Sequence, residues 1–143
     1  MVIPDVNVLI SAFNSGDQFH EASFAWLSER LVDPLEEVVV PDIIWVGFAR
    51  ICTHPTVFAS PASIQSVTDF KDMVVSKPAY RFVSGLSYGI DPLFMVMALS
   101  AARGTHVTDA YIAAVALQLD ATVATYDRDF RRFDGLKIVT PGQ

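Results

Sequence analysis

The stretch Met1-Val2-Ile3-Pro4-Asp5-Val6-Asn7-Val8-Leu9-Ile10 decides how the chain is read. Its apolar residues suit a buried strand that runs into a helix, and one residue is out of place. An isolated carboxylate among apolar neighbours costs several kcal/mol, comparable with the stability of a whole domain, unless something pairs with it. Asp5 therefore has two readings. It caps the helix that follows, since Asp is among the best residues for that position, or it belongs to a site whose ligand stabilises it.

Outward from this stretch, strands and helices alternate. Val2–Asp5, Val38–Val40, Tyr80–Val83, Thr122–Thr125 and Lys137–Val139 are short apolar or β-branched runs that predict strands. Helices are expected from Asn7, over His20–Leu31, from a capping Asp42 through Arg50, and from Ser60-Pro61-Ala62 to about Lys77. Two more are expected, from Asp91-Pro92 to Gly104 and over Thr108–Leu119, with a helical turn at Asp129–Phe133. This order predicts a single α/β domain over residues 1–143, a central parallel sheet flanked by helices. In such sheets function gathers at the carboxyl ends of the strands. Asp5 and Asp127 both fall there.

Composition narrows the possibilities. A chain of 143 residues that is 52% hydrophobic has enough apolar material for one core. With only 18% charged residues it is apolar for a soluble monomer, which points to a second copy or a partner. The one cysteine, Cys52, excludes an internal disulfide and a cysteine-based zinc site, and reads as a small core residue in a reducing compartment. No basic segment precedes the N-terminal apolar stretch, and Ile43–Cys52 and Pro92–Ala102 fall short of the roughly 20 residues a membrane helix needs. A cytoplasmic protein is expected. A net charge of −6 argues against a general nucleic-acid coat, but not against an enzyme whose acids hold a cation.

Each remaining acid has a plain reading. Asp109, in Thr108-Asp109-Ala110-Tyr111, complements the dipole at its helix start. Ala110, Ala113 and Ala114 let that helix pack closely, which brings Asp109 near other elements. Asp127 and Asp129, in Thr125-Tyr126-Asp127-Arg128-Asp129-Phe130, suit a turn. As a set with Asp5, they are oxygen ligands at strand ends and helix starts from distant parts of the chain. Without a Cys or His cluster, that set suits Mg²⁺ or Mn²⁺ rather than zinc. His20, His54 and His106 lack ligand spacing and are read as surface or supporting groups. Neither a phosphate-binding glycine loop nor a serine nucleophile elbow occurs. Arg128, Arg131, Arg132 and Lys137 form a solvated basic face, or one that holds phosphates beside the acids.

Four motifs then occur in order. They are D-V-N-V-L-I from Asp5, F-A-R-I-C-T-H-P-T-V-F from Phe48, V-T-D-A-Y-I-A-A from Val107 and A-T-Y-D-R-D-F-R-R-F from Ala124. Together they resemble the PIN-domain ribonucleases, and specifically the VapC toxins of type II toxin–antitoxin pairs. The resemblance implies a PIN-like sandwich and a Mg²⁺- or Mn²⁺-dependent endoribonuclease that hydrolyses RNA with metal-activated water. It implies catalytic acids at Asp5, Asp109 and Asp127, metal contact from these and Asp129, and support from Asn7 and Thr125. Arg50, Arg128, Arg131 and Arg132 are then candidates for RNA phosphate contacts. The implied partners are tRNA or ribosomal RNA, a cognate antitoxin and a second copy of the chain.

One position departs from the pattern. The family's second acid commonly lies three residues before the middle-helix arginine, and here that residue is Gly47, before Arg50. Asp42 is a poor substitute, because five helical residues turn it roughly 140° away. This leaves two rivals open. One is a PIN-fold binding module with weak or no catalysis. The other is a different Mg²⁺-dependent phosphohydrolase, since D-V-N-V-L-I is also similar to the D-x-D loop of haloacid-dehalogenase-type phosphatases, with Asn7 at the second acid.

Overall fold

The computed structural model of the protein describes residues 1–57 and 60–143. Strand β1 (Val2–Pro4) leads into helix α1 (Val6–Phe13), followed by α2 (His20–Val32), α3 (Asp42–Cys52) and α4 (Ile64–Val75). Then come α5 (Asp91–Ser100), α6 (His106–Leu119), strand β2 (Thr122–Ala124), a 3₁₀ turn (Arg128–Arg132) and strand β3 (Lys137–Val139). The three strands are parallel in the order β1-β2-β3, with Ile3 opposite Val123 and Val123 opposite Ile138.

Two expected strands shrink to single bridge positions. Val38 pairs with Val2, and Tyr80 pairs with Val38, both in parallel. Val38, Val39 and Val40 are fully buried, as the inner run of a parallel sheet should be. Pro41, which has no N–H to donate, stops the ladder there. With these bridges, the spatial order is Tyr80, Val38, β1, β2, β3. The chain winds outward from β1 in one direction, then returns to β1's other side and winds outward again. That reversal makes the gap between the ends of β1 and β2 a topological switch point, where open α/β sheets form their ligand crevice.

Several boundaries move for local reasons. Helix α4 begins at Ile64 rather than at Pro61, because the Ser63 hydroxyl accepts from the backbone N–H of Ser66 at 3.1 Å and supplies the cap. Pro41, not Asp42, occupies the cap position of α3, so Asp42 is the first helical residue and complements the dipole. Helix α5 ends at Ser100 with Ala101 in the left-handed region (φ 54°), and Gly104 (φ 60°) belongs to the link into α6.

The core lies between the sheet and the helices. On α6, Ala110, Ile112, Ala113 and Val115 are fully buried, and the alanines allow the close packing expected of them. Of the apolar residues on α2 and α3, Trp26, Ile44 and Phe48 turn inward, whereas Phe24 and Val46 face solvent. Cys52 is a buried free thiol, and burial pushes its pKa up to about 11. Among the described residues no helix is long and apolar enough to cross a membrane.

Candidate active site

Asp5 follows β1 and caps α1, which bears out the capping reading of its sequence context. Its side chain is only 5% exposed. One carboxylate oxygen accepts from the Val6 backbone N–H at 2.7 Å. The other accepts from Asn7 Nδ2 and from the Thr125 hydroxyl, each at 2.7 Å. Thr125 in turn accepts from Asn7 Nδ2 at 3.1 Å and from the Asp127 backbone N–H at 3.0 Å. Asn7 Oδ1 accepts from the Tyr126 backbone N–H at 3.3 Å. A carboxylate offers about four acceptor positions, and these hydrogen bonds fill three of those of Asp5.

Asp5, Asp109 and Asp127 line one open cavity of about 380 Å³ at the switch point. Asn7, Gly47, Arg50, Thr105 and Thr108 line it too. Three sequence-distant acids therefore share one cavity, and Arg50 lines it with them. Asp129 does not line this cavity. It lies at the rim, where His106 Nδ1 stands 3.8 Å from one of its oxygens and Arg132 3.9 Å from the other. The same imidazole nitrogen lies 3.5 Å from Asp109, so His106 bridges two acids. Arg128 and Arg131 line a different cavity. Asp42 is exposed and lines neither. Sequence reading missed Thr105 and Thr108, because a threonine at a helix start carries no mark of what it faces.

Burial pushes the Asp5 carboxyl from 3.8 up to about 6; hydrogen bonds from Thr125 and Val6 pull it down, and Asp109 and Asp127 push it further up. Asp109 is raised as well, chiefly by burial, with His106 opposing and Asp127 and Asp129 adding to the rise. Acids held above their ordinary range in one cleft are the electrostatic setting of a cation site. Among the described residues, no three acidic, histidine or cysteine side chains stand close enough to form a closed cage. The donors still fit Mg²⁺ or Mn²⁺, because such ions keep several waters and take only one or two carboxylates.

Gly47 has a steric reason. A Cβ on Gly47 would lie 2.9 Å from Val6 Cγ2, closer than van der Waals contact permits. Val6 directly follows Asp5, and its branched side chain has few rotamers to retreat into. An acid at position 47 is thus incompatible with Val6 in its present place.

The family model for the PIN domain matches residues 2–136, and the chain belongs to the PIN-domain family. Within it, the relatives are VapC ribonucleases. Ribonuclease VapC43 of Mycobacterium tuberculosis is 34% identical over 96% of this chain and 92% of its own length. Ribonuclease VapC48 of the same species is 31% identical over 96% of this chain and 94% of its own. The solved structure of VapBC2 from Rickettsia felis, bound to a DNA fragment from its promoter, shares the fold with a TM-score of 0.70 at 13% identity, covering 99% of each chain.

Two expectations follow from this geometry. In the metal-free protein, Asp5 holds its proton in the folded state at pH values where the unfolded chain has released it. Its stabilising effect is complete below pH 3.8 and is lost as pH rises through about 6. Denaturation in EDTA should therefore show stability falling by about 3 kcal/mol across that window, with the fall flattened in Asp5→Asn. An unchanged slope in the variant would show that other groups cause it. Separately, Gly47→Glu and Val6→Ala should couple by more than about 0.5 kcal/mol in a double-mutant cycle of unfolding free energies. Additive effects would mean that the Gly47–Val6 contact does not restrict position 47.

Proposed function

We propose that this chain is the toxin of a type II toxin–antitoxin pair, an endoribonuclease that hydrolyses RNA phosphodiester bonds with Mg²⁺ or Mn²⁺. The observation that carries this reading is the meeting of Asp5, Asp109 and Asp127 in one open cavity at the switch point, with Arg50 in the same lining. The VapC relatives named above support it. These three acids would serve the cation, one or two of them binding it directly and the others, with Asp129 at the rim, through its waters. When bound there, a divalent ion would supply a water of lowered pKa and offset charge on the phosphoryl oxygens.

The chain's own residues do the positioning. Asn7 and Thr125 fix the Asp5 carboxylate, and Thr125 also holds the backbone of Asp127. His106 orients Asp109 from the rim. Arg50 lines the cavity from α3, where it would take a phosphate oxygen of the RNA, and Arg132 reaches the same rim beside Asp129. External water would attack the phosphorus and the 3′-oxygen would leave with a proton, so the products would carry a 5′-phosphate and a 3′-hydroxyl. Substrates of this class are tRNA or ribosomal RNA, and an RNA enzyme with one buried reduced thiol belongs in the cytoplasm.

The solved toxin–antitoxin complexes that share the fold support a cognate antitoxin. A cavity of carboxylates in a chain of net charge −6 would attract a basic antitoxin segment, and an arginine placed among the acids would inhibit by replacing the cation. Homodimerisation is supported by α5, where Phe94 (59% exposed), Met95 and Leu99 (82%) present a large apolar face. Leu99→Glu should convert a dimer to a monomer in light-scattering chromatography. A wild-type monomer at micromolar concentration would end that proposal.

The Gly47–Val6 contact favours one second reading, a domain that binds cation and RNA with little or no cleavage. Incubating purified protein with total RNA and Mn²⁺ or Mg²⁺ separates the two. Cutting is expected that EDTA and Asp5→Asn both abolish, with 5′-phosphates at the mapped ends. Products with 2′,3′-cyclic phosphates would overturn the hydrolytic mechanism, and a folded protein that binds metal without cutting would establish the binding module.

A further inference from the structure

Immediately beyond Asp127 lies a second cavity, of about 410 Å³. The loop after β2 serves both cavities. Asp127 lines the first, whereas Tyr126 and Arg128 on either side of it line the second. Across the second cavity, Phe19 stacks on Tyr126 with ring centroids 4.2 Å apart and planes 15° from parallel. The Tyr126 ring is fixed by its hydroxyl, 2.8 Å from the Ser23 hydroxyl. Arg128 and Arg131 supply the charged side chains of the lining. The segment after β3 completes the lining. There the Thr140 hydroxyl donates to the Thr125 carbonyl at 3.3 Å, and a Cβ on Gly142 would come within 3.0 Å of Ala22 Cβ.

This lining suits neither a cation nor a purely apolar ligand. It contains no carboxylate side chain, and its two arginines would repel a basic protein segment. An aromatic plate beside guanidinium groups is the chemistry that holds single-stranded RNA, by base stacking and phosphate pairing. Consecutive Cα atoms stand only about 3.8 Å apart, so a nucleotide here adjoins whatever Asp127 faces.

We propose that this cavity is a nucleotide subsite for the RNA substrate. The unpaired base next to the scissile phosphate extends the Phe19–Tyr126 stack, and a flanking phosphate lies against Arg128 and Arg131. The proposal rests on the ribonuclease reading and deepens it by assigning a place to the base beside the cut.

The test uses the full chain carrying Asp5→Asn, in EDTA, so that binding is read without cleavage. The probes are single-stranded RNA hexamers with 2-aminopurine at each position in turn, read by anisotropy for binding and by fluorescence quenching for stacking. Quenching is expected at one position. Phe19→Ala should abolish it and weaken binding about tenfold, whereas Phe19→Trp should retain both. Arg131→Ala should weaken binding yet leave quenching intact at saturation. Circular dichroism confirms that each variant is folded. Unchanged quenching in Phe19→Ala overturns the subsite. So does loss of affinity for an arginine-rich peptide with RNA binding unaffected, which would mark a protein-docking site. If the native chain cleaves RNA but shows no Phe19-dependent quenching, the subsite falls and the nuclease stands. If it shows that quenching without cleaving, the nuclease reading falls and the cavity stands as an RNA-binding one.

Discussion

The carboxylate of Asp5 is buried beside the end of the sheet, and its three hydrogen bonds join parts of the chain that are otherwise independent. Val6 and Asn7 bind it from α1, and Thr125 binds it from the end of β2, 120 residues away. Because Thr125 also holds the backbone of Asp127, the position of one acid sets the position of another. Each donor offsets part of the cost of burying the charge, yet burial still dominates and leaves the carboxyl near pH 6. A cation beside Asp5 would offset that cost of burial.

The sheet topology places this network where a ligand can reach it. The winding of the chain reverses at β1, which leaves a crevice at the carboxyl ends of β1 and β2. Helix α6 brings its start to that gap because its alanines allow close approach to the sheet, and Asp109 arrives with it. Helix α3 approaches from the other side. There Gly47 and Val6 are in such close contact that packing, rather than chemistry, occupies the place of a fourth acid. The result is a set of three acids in one cavity that Arg50 also lines.

The loop after β2 adds a second layer of organisation. Its backbone alternates residues between two cavities, one acidic and one aromatic and basic. Charges of opposite sign are thereby held on adjacent residues without cancelling, because Asp127 and Arg128 face different spaces. Asp129 and Arg132 instead meet at the rim, near the edge of the acidic cavity, where His106 connects Asp129 to Asp109.

Much of this was legible in the residues alone. Period and punctuation placed the helices, and the apolar run with a lone acid marked Asp5; the places of Asp109 and Asp127 at a helix start and a strand end, with the family resemblance, grouped them with it. These signals are local, and a local signal survives in one dimension. What the sequence could not determine depends on contacts between distant segments. Whether Val38–Val40 and Tyr80–Val83 form full strands depends on how many of their backbone groups meet a partner, and in each segment a single residue, Val38 or Tyr80, forms bridges. That Asp129 stays at the rim, that Phe19 lies on Tyr126, and that Gly47 has no room for a side chain are facts of packing between elements far apart in the chain. Residue type states which chemistry is available. Only the tertiary structure decides which of those groups share a space, because close packing leaves each side chain one set of neighbours.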